Sequence, residues 1–107
     1  MSFSISQVGD RATVTAPQYL VGSNKEKLKQ LTLDAMERDA KHFVVDLASA
    51  SYIDSAALGT LVALSNRIHE KSGTIRLVNL SPDIRSLFHL TRLETCFDDF
   101  DGDPSAA

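Results

Sequence analysis

Asp54-Ser55-Ala56-Ala57-Leu58-Gly59 sets a carboxylate beside a hydroxyl and follows them with three residues of little bulk, Ala56, Ala57 and Gly59. A strand-like run, His42-Phe43-Val44-Val45-Asp46-Leu47, precedes this stretch, and a helical pattern follows it. The first turn of a helix carries unsatisfied amides and about half a positive charge, so it favours anionic groups. Asp54 and Ser55 therefore suit a helix cap, which satisfies those amides. The same position suits a phosphoryl group on Ser55 or the acidic group of a partner, with little steric hindrance. The two readings are compatible.

A nucleophilic Ser55 needs a base within hydrogen-bond reach, and the chain offers His42, His69 and His89. His42 begins the strand at the end remote from Ser55. His69 stands fourteen residues further along the same helix, ~20 Å away at 1.5 Å per residue. His89 falls late in a third helix with no evident oriented carboxylate. There is no Gly-x-Ser-x-Gly elbow and no glycine-rich loop followed by Lys. Asp46 and Asp54 suggest a magnesium pair only until Asp54 is explained as a cap. The acidic run Asp98, Asp99, Asp101 and Asp103 reads as a solvated segment. The chain is expected to have no catalytic, cofactor-binding or metal-binding residues.

The elements that must position Ser55 follow from periodicity. Phe3, Ile5 and Val8 alternate with polar residues as a half-buried strand, Gly9-Asp10 is a turn, and Ala12 to Ala16 forms the second arm of an opening β-hairpin. Pro17 ends it. Ser23 or Asn24 caps a helix that runs to about Ala40, with Leu28, Leu31, Ala35 and Met36 on its apolar stripe. Phe43 to Leu47 reads as a central strand covered on both faces. The Ser55 helix continues to about Lys71 with Leu58, Leu61, Val62 and Ile68 inside, and Ser72-Gly73 stops it. Thr74 to Val78 is a strand, and Ser81-Pro82-Asp83 starts a helix with Ile84, Leu87 and Phe88 buried. Cys96 to Phe100 reads as a short edge strand, and residues 102–107 as a frayed tail after a domain spanning 1–101. The result is an α/β fold: a mixed sheet of four to five strands, an opening hairpin, and about three helices packed on it.

The chain has 107 residues, a net charge of −3, 43% apolar and 23% charged residues, which is the profile of one globular domain. Its eleven basic residues are scattered rather than gathered into a stripe, which disfavours direct nucleic-acid binding. A single cysteine, Cys96, excludes an internal disulfide. The first residues have neither a basic nor an apolar segment, and no apolar run reaches the ~18 residues needed to span a bilayer. A cytoplasmic location without membrane association is expected.

Val44-Val45-Asp46-Leu47 followed by Tyr52-Ile53-Asp54-Ser55-Ala56-Ala57-Leu58-Gly59-Thr60-Leu61 resembles the signature of STAS-domain anti-sigma-factor antagonists. The family pattern is a hydrophobic strand ending in Asp-Leu, then a helix start of the Asp-Ser-Ser-Gly-Leu-Gly type. The resemblance covers nearly the whole chain and implies a small regulator without catalysis. Such proteins bind an anti-sigma factor that is also a serine kinase. They are switched off by phosphorylation at the serine matching Ser55 and reset by a PP2C-type phosphatase. The resemblance further implies a partner surface of Asp54, Ala56, Ala57, Thr60 and the loop residues Tyr19, Val21, Gly22 and Ser23; a weak homodimer is a further expectation. Ala56-Ala57 replaces the frequent Ser-Gly, and Tyr19 to Gly22 lacks the acidic residue often found in that loop. Two alternatives stand beside this reading: an unphosphorylated STAS subunit of a larger signalling or transporter assembly, and a small serine hydrolase.

Overall fold

The computed structural model describes residues 3–101. Strands β1 (Ser4–Val8) and β2 (Arg11–Thr15) form the expected hairpin, in which Gly9 takes a φ of 61° that costs glycine nothing. A two-residue strand β3 (Tyr19–Leu20) and a 3₁₀ turn (Gly22–Asn24) lead into helix α1 (Lys25–Glu37). Strand β4 (His42–Asp46), the two-residue β5 (Tyr52–Ile53) and helix α2 (Ser55–Glu70) follow, then β6 (Thr74–Val78) and α3 (Pro82–Leu90). A 3₁₀ turn (Glu94–Cys96) precedes β7 (Asp99–Asp101).

The main sheet has five strands in the order β1-β2-β4-β6-β7, antiparallel at β1 and parallel elsewhere. The parallel pairs need crossovers, and α1, α2 and α3 supply them. Their buried residues form register rows: Ala12, Phe43 and Ile75 in one, Val14, Val45 and Leu77 in the next. Leu28 of α1, Leu61 and Ile68 of α2, and Ile84 and Phe88 of α3 join them in one core. Phe88 meets Phe97 edge to face at 5.8 Å, which ties α3 to the segment before β7.

Several details depart from the periodicity reading. β4 is covered on one face only: Phe43 and Val45 are buried, while Val44 stands in register between Thr13 and Arg76 and is half-buried. Val8 is exposed, because after Ile5 the inward parity falls on Gln7. Val62 is half-buried, and the inner stripe of α2 takes Leu64 and Ser65 instead. Helix α1 ends at Glu37 rather than near Ala40. The last strand begins at Asp99, because Glu94–Cys96 coils into the 3₁₀ turn. Gly73 follows α2, but the left-handed residue there is Ser72, at φ 63°. Gly73 answers a different need: a Cβ on it would stand 2.2 Å from the Lys41 carbonyl oxygen, so no side chain fits. The tail at 102–107 lies outside the described residues.

Candidate functional site

The site is built at the rim beyond the C-terminal ends of the parallel strands, where ligands of open α/β sheets gather. After β4 the chain turns at Asp46, whose Oδ1 accepts hydrogen bonds from the Ala48 amide at 2.9 Å and from Asn79 Nδ2 at 3.0 Å. That carboxylate is committed to holding the turn. The chain then pairs β5 with β3 in a separate parallel ladder, Tyr19 opposite Tyr52 and Leu20 opposite Ile53. Leu20 and Ile53 are buried, while the two tyrosines stand exposed side by side. The ladder continues with Asp54 N–H donating to the Leu20 carbonyl at 3.1 Å.

Asp54 is the N-cap of α2, with extended backbone. Its Oδ1 accepts from the Ala57 amide at 2.9 Å, the third-residue amide that an N-cap side chain satisfies, and its Oδ2 accepts from the Gly22 amide at 2.8 Å. One carboxylate thus caps the helix and staples the 19–23 loop to it. The Ala57 amide, then the Gly22 amide, hold the Asp54 carboxyl below its ordinary value; slight burial opposes them, and the Ala56 amide and the Lys25 charge reinforce them. Gly22 lies close against α2: a Cβ there would approach the Ala56 Cβ to 3.3 Å, so a side chain at this position would press the loop and helix slightly apart. The loop is also braced internally: Asn24 Oδ1 accepts from Val21 N–H at 2.9 Å and its Nδ2 donates to the Tyr19 carbonyl at 2.8 Å. Asn24 does precede α1, but its side chain organises this loop rather than capping the helix, and no side-chain cap is made there.

Ser55 is the first residue of α2 and is exposed. Ala56 beside it is exposed, Thr60 is half-buried and donates its hydroxyl to the Ala56 carbonyl at 3.1 Å, and Ser23 is exposed across the loop. Ala57 is fully buried, since one helical step turns it toward the core. The small surface expected of Ala56 and Ala57 is therefore offered by Ala56 alone. Gly59 is exposed, and a Cβ placed on it would meet nothing within 4 Å beyond its own stretch of helix. The structure brings Asp54, Ser55, Ala56, Gly22 and the Tyr19 loop together. Tyr52 joins them through its pairing with Tyr19, and only the two-residue ladder reveals it.

All three histidines are engaged elsewhere. His42 Nδ1 lies 2.8 Å from the Thr74 hydroxyl at the opposite rim. His89, contrary to expectation, does have an oriented carboxylate, Glu94 at 2.9 Å, because the 3₁₀ turn after α3 folds back. His69 joins Ser65 at 3.4 Å and Asp98 at 2.7 Å, a Ser–His–Asp order at the far end of α2. There, however, Ser65 is fully buried and donates its hydroxyl to the Cys96 carbonyl. Burial pushes the Asp98 carboxyl up, but the Ile75 amide at 2.7 Å and the His69 ring outweigh it and hold it below its ordinary value. That cluster fastens the segment before β7 to α2 and β6; its hydroxyl proton is committed and closed to a substrate. Among the described residues no helix is long and apolar enough to cross a membrane.

A crossover-linked sheet, a capped helix start at its C-terminal rim and an exposed serine at the first helical position define a small α/β domain of the SpoIIAA-like fold. The STAS-domain family model matches residues 3–102, and the chain belongs to that family. A STAS-domain containing protein of Pseudomonas aeruginosa strain UCBPP-PA14 is 39% identical over 67 residues, spanning 60% of this chain and 66% of that one, slightly under two thirds of its length. A candidate anti-sigma factor antagonist of Thermotoga maritima superposes with a TM-score of 0.82 at 23% identity, covering 97% of this chain and 90% of that one. The phosphorylated form of the Bacillus cell fate determinant SpoIIAA superposes with a TM-score of 0.73 at 18% identity, covering 92% and 90%.

Proposed function

We propose that this protein is an anti-sigma-factor antagonist, working in the cytoplasm without a cofactor, whose binding to a serine-kinase anti-sigma factor is switched off by phosphorylation of Ser55. A PP2C-type phosphatase resets the switch. The observation that carries the reading is the state of Ser55 itself: an exposed hydroxyl at the start of α2, beside a carboxylate already bound to the Ala57 and Gly22 amides. Phosphorylation adds about −1.5 to −2 charges at pH 7. The helix terminus tolerates that charge, by ~0.3–1 kcal/mol in its favour. A partner packed over Ala56 and the 19–23 loop does not, because it must desolvate a dianion next to Asp54. A penalty of ~2.8 kcal/mol at that interface weakens binding about a hundredfold. The fold survives while the complex is lost.

Incubation with ATP and a purified serine-kinase anti-sigma factor, followed by mass-spectrometric mapping, tests the assignment. Phosphate on Ser55, absent in Ser55→Ala, is expected. Phosphate on Ser49, Ser51 or Thr60 instead refutes it. No phosphate at all, with the protein recovered in a large complex, favours a STAS subunit whose serine is only part of a helix cap. Ester hydrolysis abolished by Ser55→Ala favours an enzyme.

A further inference from the structure

A groove of about 510 Å³ runs between α1 and α2 and begins at Ala56, next to Ser55. Its floor on α2 is Ala56, Gly59, Thr60 and Ala63, and Leu33 and Leu64 give it apolar depth. Gly59 is the informative member. Glycine inside a helix is less favourable than alanine. Here nothing in the fold needs its small size, because the space where a Cβ would stand is empty. The charges of the groove run against those of the chain. Lys25, Lys29 and Arg67 line it against the one acid Glu26, whereas the whole chain carries −3. Among the described residues no carboxylate lies within ion-pair distance of Lys29 or Arg67.

We propose that this groove receives an acidic, amphipathic helical segment of the anti-sigma partner; the inference rests on the antagonist reading above. Such a helix lays small or apolar residues on the Ala56–Ala63 floor and its acids between the α1 lysines and Arg67. Ala56 to Arg67 spans ~16 Å along α2, three turns of the incoming helix. The mouth of the groove at Ala56 explains why the switch sits where it does. A dianion on Ser55 meets the end of an acidic helix, and like charges brought together at an interface oppose binding.

The test is binding of the purified anti-sigma factor to the full chain carrying Lys29→Glu and Arg67→Glu together. Affinity is expected to fall at least about tenfold. Its salt dependence should flatten, with the melting temperature held. Gly59→Leu provides a second variant that fills the floor and favours the helix; it should weaken binding without destabilising the fold. Wild-type affinity in both variants, while Ser55→Asp still weakens binding about a hundredfold, overturns the groove and leaves the antagonist reading intact. A wild-type chain that does not bind the anti-sigma factor at all overturns both. Amide signals of Gly59, Ala63 and Asn66 should shift when the anti-sigma factor is added. The same shifts produced by raising the concentration of this protein alone would assign the groove to a second copy and overturn the proposal.

Discussion

Helix α2 carries one serine at its first position and another in its C-terminal half, and the two surroundings have opposite designs. Ser55 stands exposed at the first position, over small residues, beside a carboxylate that has used its own acceptors on backbone amides. Ser65 has the more enzyme-like company, His69 and Asp98, yet it is fully buried and bonded to the Cys96 carbonyl. The residue types alone favour Ser65 as the reactive site. Exposure reverses the ranking: the cluster around Ser65 holds the chain together, and Ser55 is the hydroxyl left open to solvent.

The sharpest way to break this contrast is to put a charge at each serine. Ser65→Asp places a carboxylate in the core, facing a carbonyl and another acid's network, and should cost about 3–5 kcal/mol in denaturant unfolding. Ser55→Asp should leave the unfolding midpoint nearly unchanged while weakening anti-sigma-factor binding about a hundredfold in titration calorimetry. If the two substitutions destabilise equally, the contrast is wrong. Asp54→Ala removes the cap and the staple at once and should lower the melting temperature by ~5 °C. It should also speed amide exchange at Gly22, which a cap without a staple would not do. Gly59→Ala, the smallest effect, should stabilise the fold by roughly 0.5–1 kcal/mol.

Acid titration reports on both ends. Both Asp54 and Asp98 are held below the ordinary carboxylate value of 3.8. A depressed carboxyl contributes stability that is fully present above that value and is lost as pH falls through its lower folded value. Unfolding free energy should therefore decline below about pH 4, with little change from these groups at neutral pH. Asp98→Asn should remove part of that decline and, in exchange experiments, loosen the Ile75 amide.

Much of this was legible in the sequence. Gly9-Asp10 forecast the hairpin, Ser81-Pro82 the start of α3, and Asp54-Ser55 the start of α2, because capping and turn chemistry are local. The β3–β5 ladder was not, since Tyr19 and Tyr52 become strand residues only by pairing with each other across thirty-three positions. The open sheet face was hidden for a related reason: Val44 reads as core until Thr13 and Arg76 are seen beside it. Asp98 looked like part of a solvated acidic run because its partners, His69 and Ile75, come from distant elements. At the candidate site, the residues around Asp54 and the 19–23 loop converge as expected, while Ala57 turns inward and Gly59 outward, a phase that follows from the helix's rotation against the core.

The central claim is that charge on Ser55 dissolves a complex without disturbing the fold. Stoichiometrically phosphorylated and unmodified protein, compared for anti-sigma-factor affinity and thermal unfolding in the same buffer, tests it directly. The account predicts at least about a hundredfold loss of affinity with an unchanged melting temperature. Equal affinity of the two forms, or a loss of affinity matched by a loss of fold, would contradict it.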